Sequence, residues 1–173
     1  MKDTIDTSAL IFGTDTGITE EISNLISDKW TRTDLDLIEV SDIAPEDFYK
    51  FDFLILGLST WYDGDLQSDW ETFFDDFKTI DFTNKHVAIF GLGDQIGYGE
   101  YFIDGVGILA KIVIENGGNL IGNWPIEGYE FTESKAQMNQ DYFYGLAIDE
   151  DTQSSQTHDR VERWIEQLEK ELS

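Results

Sequence analysis

Apolar positions along this chain fall into two patterns, short continuous runs and stripes that recur every three or four residues. Ala9 to Phe12, Phe51 to Leu58 and His86 to Phe90 are runs closed by glycine or by glycine and serine, as strands buried on both faces are. Leu35, Leu37, Ile38 and Val40 make a shorter second strand before the turn at Pro45. The stripes are Ile22, Leu25, Ile26 and Trp30, then Phe73, Phe74 and Phe77, then Ile103, Val106, Ala110 and Val113 within Phe102 to Glu115. Their spacing predicts helices, the last stopping at Asn116-Gly117-Gly118. Val161, Trp164, Ile165, Leu168 and Leu172 predict a final helix. Strands alternating with helices predict a doubly wound α/β fold, a parallel sheet covered on both faces. Such sheets bind ligands beyond the carboxyl ends of their strands, where the strand order reverses.

Three predicted strand ends carry unusual chemistry. The first reads Gly13-Thr14-Asp15-Thr16-Gly17-Ile18-Thr19, a glycine- and hydroxyl-rich turn opening directly into a helix. Its N–H groups and hydroxyls suit a phosphate at a helix N-terminus, held by hydrogen bonds because no lysine or arginine is present. Taken alone, it is equally an ordinary turn capped by Thr16 or Thr19. It is neither a nucleotide triphosphatase loop nor a dinucleotide fingerprint. The second end, Ser59 to Asp69, holds Trp61 and Tyr62, and the third, Gly91 to Tyr101, holds Tyr98. Each sets a large aromatic among glycines and polar residues. Two such side chains facing each other make a slot for a flat aromatic ligand.

At 173 residues the chain is one domain, residues 1–173, with a short extension over residues 1–8. Acidic residues number 36 against 11 basic, a net charge of -25, which argues against nucleic acid and anionic lipid and fits either basic protein partners or an acidic, salt-adapted surface with no partner meaning. There is no cysteine and so no thiolate chemistry. No targeting signal or membrane-length apolar run is found, so a soluble, cytoplasmic protein without membrane insertion is expected. His86 and His158 are isolated and predict no metal site.

The three loops, in this order, resemble those of the flavodoxin family, from about Ala9 to the C-terminus. Thr14-Asp15-Thr16-Gly17-x-Thr19 is similar to its phosphate signature, and Thr60-Trp61-Tyr62-x-Gly64 and Gly93-Asp94-Gln95-x-Gly97-Tyr98 to its two ring loops. The polar stretch Pro125 to Asp141, between the strand-like runs Asn119 to Trp124 and Tyr142 to Ile148, resembles the insertion that splits the last strand of the long-chain members. A five-stranded parallel sheet with a split last strand is the expected fold.

The resemblance implies an FMN-binding one-electron carrier, not an enzyme, that shuttles between semiquinone and hydroquinone. Thr14, Asp15, Thr16, Gly17, Ile18 and Thr19 would wrap the phosphate, with Thr60 closing the site. Trp61 and Tyr98 would sandwich the ring, Asp94 would meet its pyrimidine edge, and Asp151 would lie near the ribityl chain. Ser59, Gly91, Leu92 and Gly93 belong to the two ring loops, and the Tyr62–Asp63 peptide beside Gly64 would flip with reduction. Asp63, Asp65 and Asp94 would disfavour an anionic reduced ring, although charges beyond about 8 Å count for little at physiological ionic strength. Ser59, Asp65 and Ile18 depart from the residues most relatives carry there, which bears on the potential more than on the cofactor. Implied partners are basic redox proteins such as ferredoxin-NADP reductase, photosystem I, nitrogenase and pyruvate oxidoreductases, met by a monomer. Photosynthetic electron transfer is the first of these expectations. An FMN-dependent quinone reductase shares the fold but would need a nicotinamide or quinone site, for which no residue set is found. A phosphoacceptor receiver needs acidic strand ends where this chain has Gly13 and Gly57.

Overall fold

The computed structural model describes residues 5–173. In chain order the elements are β1 (Ser8–Phe12), α1 (Ile18–Lys29), β2 (Leu35–Glu39), β3 (Phe53–Trp61), β4 (Asp65–Leu66), α2 (Ser68–Phe77) and β5 (His86–Leu92). Then follow α3 (Asp104–Glu115), β6 (Asn119–Leu120), β7 (Trp124–Pro125), β8 (Tyr142–Phe143), β9 (Leu146–Ile148) and α4 (Thr157–Glu171). The main sheet runs β2-β1-β3-β5 in parallel, so the chain reverses its direction of growth between β1 and β3. That switch point opens a crevice at the strand ends. The central strands β1, β3 and β5 are buried on both faces, with Leu10, Ile11, Leu54, Ile55, Leu56, Ala88 and Ile89 at 0% exposure. α1 and α4 pack against each other, and α3 packs on β3 and β5.

The edge beyond β5 carries two short strands: β6 pairs with His86 and Val87, and β9 with Phe90 to Leu92. With β4 folded back antiparallel on the end of β3, the sheet holds seven strands among the described residues where five were expected. The runs expected over 119–124 and 142–148 both break, for local reasons. Gly122 has φ 82, its carbonyl accepts from Trp164 Nε1, and a Cβ there would stand 2.9 Å from the indole nitrogen. Gly145 packs so close to β5 that a Cβ would lie 2.0 Å from the Ile89 carbonyl oxygen.

The segment 121–145 is not a loose polar loop. β7 and β8 pair antiparallel within it, and Tyr129, Phe131 and Phe143 pack around Phe102 at centroid distances of 5.7–5.9 Å, with Phe143 5.5 and 5.2 Å from Tyr129 and Phe131. Ala136 and Phe143 are fully buried. Of the expected extension over residues 1–8, residues 1–4 lie outside the described residues. Ser8 already belongs to β1, and Asp6 N–H donates to Asp52 Oδ2.

Helix ends follow from backbone chemistry. α3 stops where Gly117 has φ 88 and the Gly118 and Gly117 N–H groups return to the Val113 and Ile114 carbonyls, as expected. Its start differs: the stripe suggests Phe102, but Ile103 has φ 46 and the helix begins at Asp104. A β-branched residue in the left-handed region is strained, and no sequence pattern signals it.

Candidate functional site

The three loops singled out in the sequence meet at the switch point. A cleft of about 290 Å³ is lined by Thr16, Ile18 and Thr19 from the first loop, Ser59 to Tyr62 from the second, Leu92 to Asp94 and Tyr98 from the third, and Glu150 and Asp151 after β9.

The first loop is built to present amides. Gly17 has φ 90 and sits at the N-terminus of α1, whose first N–H groups have no intrahelical partner. Thr14 Oγ1 accepts from Gly17 N–H at 2.9 Å and closes the turn on itself. Asp15 does not line the cleft. Its Oδ1 accepts from Ser68 Oγ at 2.6 Å and from Gln67 Nε2 at 3.1 Å, which ties the loop to the start of α2. Gln67, fully buried, also caps α2 by accepting from Asp69 and Trp70 N–H. A Cβ on Gly13 would lie 1.9 Å from Gln67 Oε1, so Gly13 is needed for close approach. Gln67 carries little signal in the sequence beyond its place just before the α2 stripe.

The second loop is tighter than expected. Ser59, Thr60 and Trp61 belong to β3, Trp61 pairs with Asp65, and Tyr62, Asp63 and Gly64 form the turn. Tyr62 has φ 47 and Gly64 φ 93, so two of the three turn residues are left-handed. Trp61 Nε1 is buried without a hydrogen-bond partner, while Tyr62 is 67% exposed. An orphaned buried donor in the wall of a cleft fits a ligand with acceptor atoms.

In the third loop Asp94 builds the backbone. Its Oδ1 accepts from Ile96 N–H at 3.0 Å and Gly97 N–H at 2.7 Å, and a Cβ on Gly97 would lie 2.5 Å from its Oδ2. Tyr98 stands 48% exposed at the cleft. Gly91 lies inside β5, away from the lining, where a Cβ would strike Val106 Cγ2 at 2.3 Å. Its lack of a side chain lets α3 seat closely on the sheet. Asp63 and Gly64 also stand outside the lining.

Charge around the cleft is negative. Burial, then Asp94, Asp149 and Glu150, push the Asp151 carboxyl above its ordinary pKa. Asp149 is held low despite burial, because its carboxylate accepts from Thr152 Oγ1, from Gln95 N–H and Nε2, and from Thr152 N–H. Glu150, which accepts from Thr157 Oγ1, is a lining residue that sequence reasoning missed.

A doubly wound sheet whose switch point combines an amide-rich helix start with an aromatic-walled slot defines the class of α/β proteins that hold a phosphate-bearing, flat aromatic ligand at the strand ends. The family model described as Flavodoxin matches residues 10–164. Flavodoxin 1 of Escherichia coli K12 is 42% identical over 165 residues, covering 95% of this chain and 94% of its own length. The flavodoxin of Haemophilus influenzae is 45% identical over 166 residues, covering 94% of each. The crystal structure of Fusobacterium nucleatum flavodoxin bound to flavin mononucleotide superimposes with a TM-score of 0.91 at 30% identity, covering 98% of this chain and 100% of that one. The chain belongs to the flavodoxin family.

Proposed function

We propose that the protein holds FMN non-covalently in the switch-point cleft and carries single electrons between redox enzymes. The observation that carries this reading is the juxtaposition of the α1 N-terminus with Trp61 and Tyr98 in one cleft. Bound FMN supplies reversible one-electron chemistry that no side chain here provides.

The residues divide the task. The N-terminal amides of α1 with the Thr16 and Thr19 hydroxyls would hold the phosphate, without a countercharge. Trp61 and Tyr98 would enclose the ring, and the orphaned Trp61 Nε1 is a free donor toward the cofactor. Thr60, Asp94 and Asp151 complete the lining, with Thr14 and Asp15 shaping the phosphate loop from behind. Asp94, Glu150 and Asp151 make any added negative charge in the cleft unfavourable, which favours a low potential for the last electron.

The exposed edge at Tyr62, Ile96 and Tyr98, set in a chain of net charge -25, favours brief docking to basic faces of redox enzymes, a class that includes ferredoxin-NADP reductase. In this reading the protein acts as a cytoplasmic monomer of the long-chain type, and the stretch Pro125 to Asp141 is its insertion. Among the described residues no helix is long and apolar enough to cross a membrane. A quinone reductase on the same fold is not favoured, because the named flavodoxins it resembles are carriers.

Titration of FMN with the flavin-free protein tests the cofactor. Near-complete quenching of flavin fluorescence at one equivalent is expected, from stacking on the aromatic walls. Unchanged fluorescence at micromolar protein removes the proposal.

A further inference from the structure

We propose that the 121–145 segment braces the flavin slot, and that Asp104 is the positioning residue through which it acts on the Tyr62–Gly64 turn. The inference rests on the FMN-carrier reading above and gives the segment a function.

The segment grips the loop that carries Tyr98 and the start of α3. Glu130 N–H donates to Gln95 Oε1, and the Thr132 and Glu133 N–H groups donate to the Gly99 carbonyl at 2.8 and 3.0 Å. These bonds fix the loop that carries Tyr98. Further along, Ser134 Oγ donates to the Phe102 carbonyl, and Lys135 N–H donates to Asp104 Oδ1 at 2.8 Å. Gly107 permits that approach, since a Cβ there would lie 2.0 Å from the Lys135 carbonyl oxygen.

Asp104 passes the contact on. It is 2% exposed, and a Cβ on Gly64 would lie 2.8 Å from its Oδ2, so this oxygen lies directly against the Gly64 backbone. Its neighbour Gly105 donates its N–H to Thr60 Oγ1 at 2.9 Å. The first turn of α3 thereby touches the Trp61 loop before and within its turn, and the strained Ile103 backbone holds it there.

A carboxylate is a costly choice for this place. The charged and titratable groups that act on it are Glu133 and Lys135 from the segment, Lys111 from α3 itself and Tyr101 from the preceding loop, and Tyr101 in turn feels Asp63 of the turn and Glu100. Burial raises the Asp104 pKa, against the Lys135 N–H bond and the Lys135 and Lys111 charges. A carboxyl whose folded pKa lies above its unfolded value binds more protons when folded, so its ionisation lowers stability as pH rises through the folded pKa. An asparagine that keeps the Lys135 bond relieves that cost. A charge retained against stability beside the Tyr62–Gly64 turn at the cleft points to function.

The test compares wild type with Asp104→Asn and Gly107→Ala from acid to neutral pH. In flavin-free protein the Gly64 backbone amide, followed by NMR, is expected to titrate with a raised carboxyl midpoint. That titration vanishes in Asp104→Asn and moves higher in Gly107→Ala, which loses the Lys135 donor. Asp104→Asn is expected to melt higher than wild type at pH 7 and to converge with it in acid. In FMN-loaded protein the variant's last-electron reduction is favoured by roughly three- to tenfold at pH 7, because a buried negative charge is gone, and the gain fades as wild-type Asp104 protonates. A Gly64 amide blind to Asp104, or parallel potential profiles for wild type and variant at every pH, overturns the inference. Failure of wild type to take up FMN would instead remove the carrier reading, while the Gly64 titration still decides whether Asp104 governs the turn.

Discussion

The double substitution Trp61→Ala, Tyr98→Ala is expected to weaken FMN binding by at least about thirtyfold, since stacking a base on an aromatic side chain contributes about 1–3 kcal/mol for each partner. The loss should leave the fold intact. Neither side chain belongs to the buried core, Tyr98 is 48% exposed, and Trp61 is only half-buried at the end of β3. Each single variant should show part of the loss, and Tyr98→Phe, which keeps the stacking face, almost none. Fluorescence titration of FMN with each variant measures the effect, and circular dichroism checks the fold. Affinity unchanged in the double variant would place the flavin elsewhere.

The largest loss of stability is expected from Trp70→Ala, about 3–5 kcal/mol, the usual cost of emptying a large aromatic site in a core. Trp70 is fully buried, meets the Phe73 and Phe77 rings edge-on at 6.3 and 5.5 Å, and donates Nε1–H to the Gly57 carbonyl at 2.9 Å. That carbonyl also accepts from Gly13 N–H, the first residue of the phosphate loop. The substitution therefore opens a cavity and frees one partner at the root of the site. Since a domain has about 5–15 kcal/mol in all, much of the total is at stake. Urea unfolding followed by circular dichroism measures it. A change under about 1 kcal/mol would mean that the α2 side of the core repacks without strain.

The order of strands and helices is legible in the chain because each apolar run or stripe serves one buried face. The three strand-end loops are legible for a different reason. Glycine and aromatic residues in polar company, as at Trp61 and Tyr98, have no ordinary place in a core. What stays hidden depends on contacts distant in sequence. The tie from Asp15 in the first loop to Gln67 and Ser68, more than fifty positions away, leaves no local trace. Gly91 resembles a loop glycine until Val106 fills the space above it. The stretch 125–141 reads as a polar loop because its aromatics, Tyr129 and Phe131, follow no period. Only beside Phe102 and Phe143 do they form a cluster. Ile103 shows the same limit at the level of the backbone, where a strained φ is set by what packs around it.

Electron carriage is tested most directly by stepwise anaerobic reduction of the FMN-loaded protein, with potential and visible absorbance recorded together. Two separate one-electron steps are expected, the second at the lower potential, with a distinct long-wavelength band present only between them. A single two-electron step that bleaches the flavin without that band would contradict the assignment of this protein as a one-electron carrier.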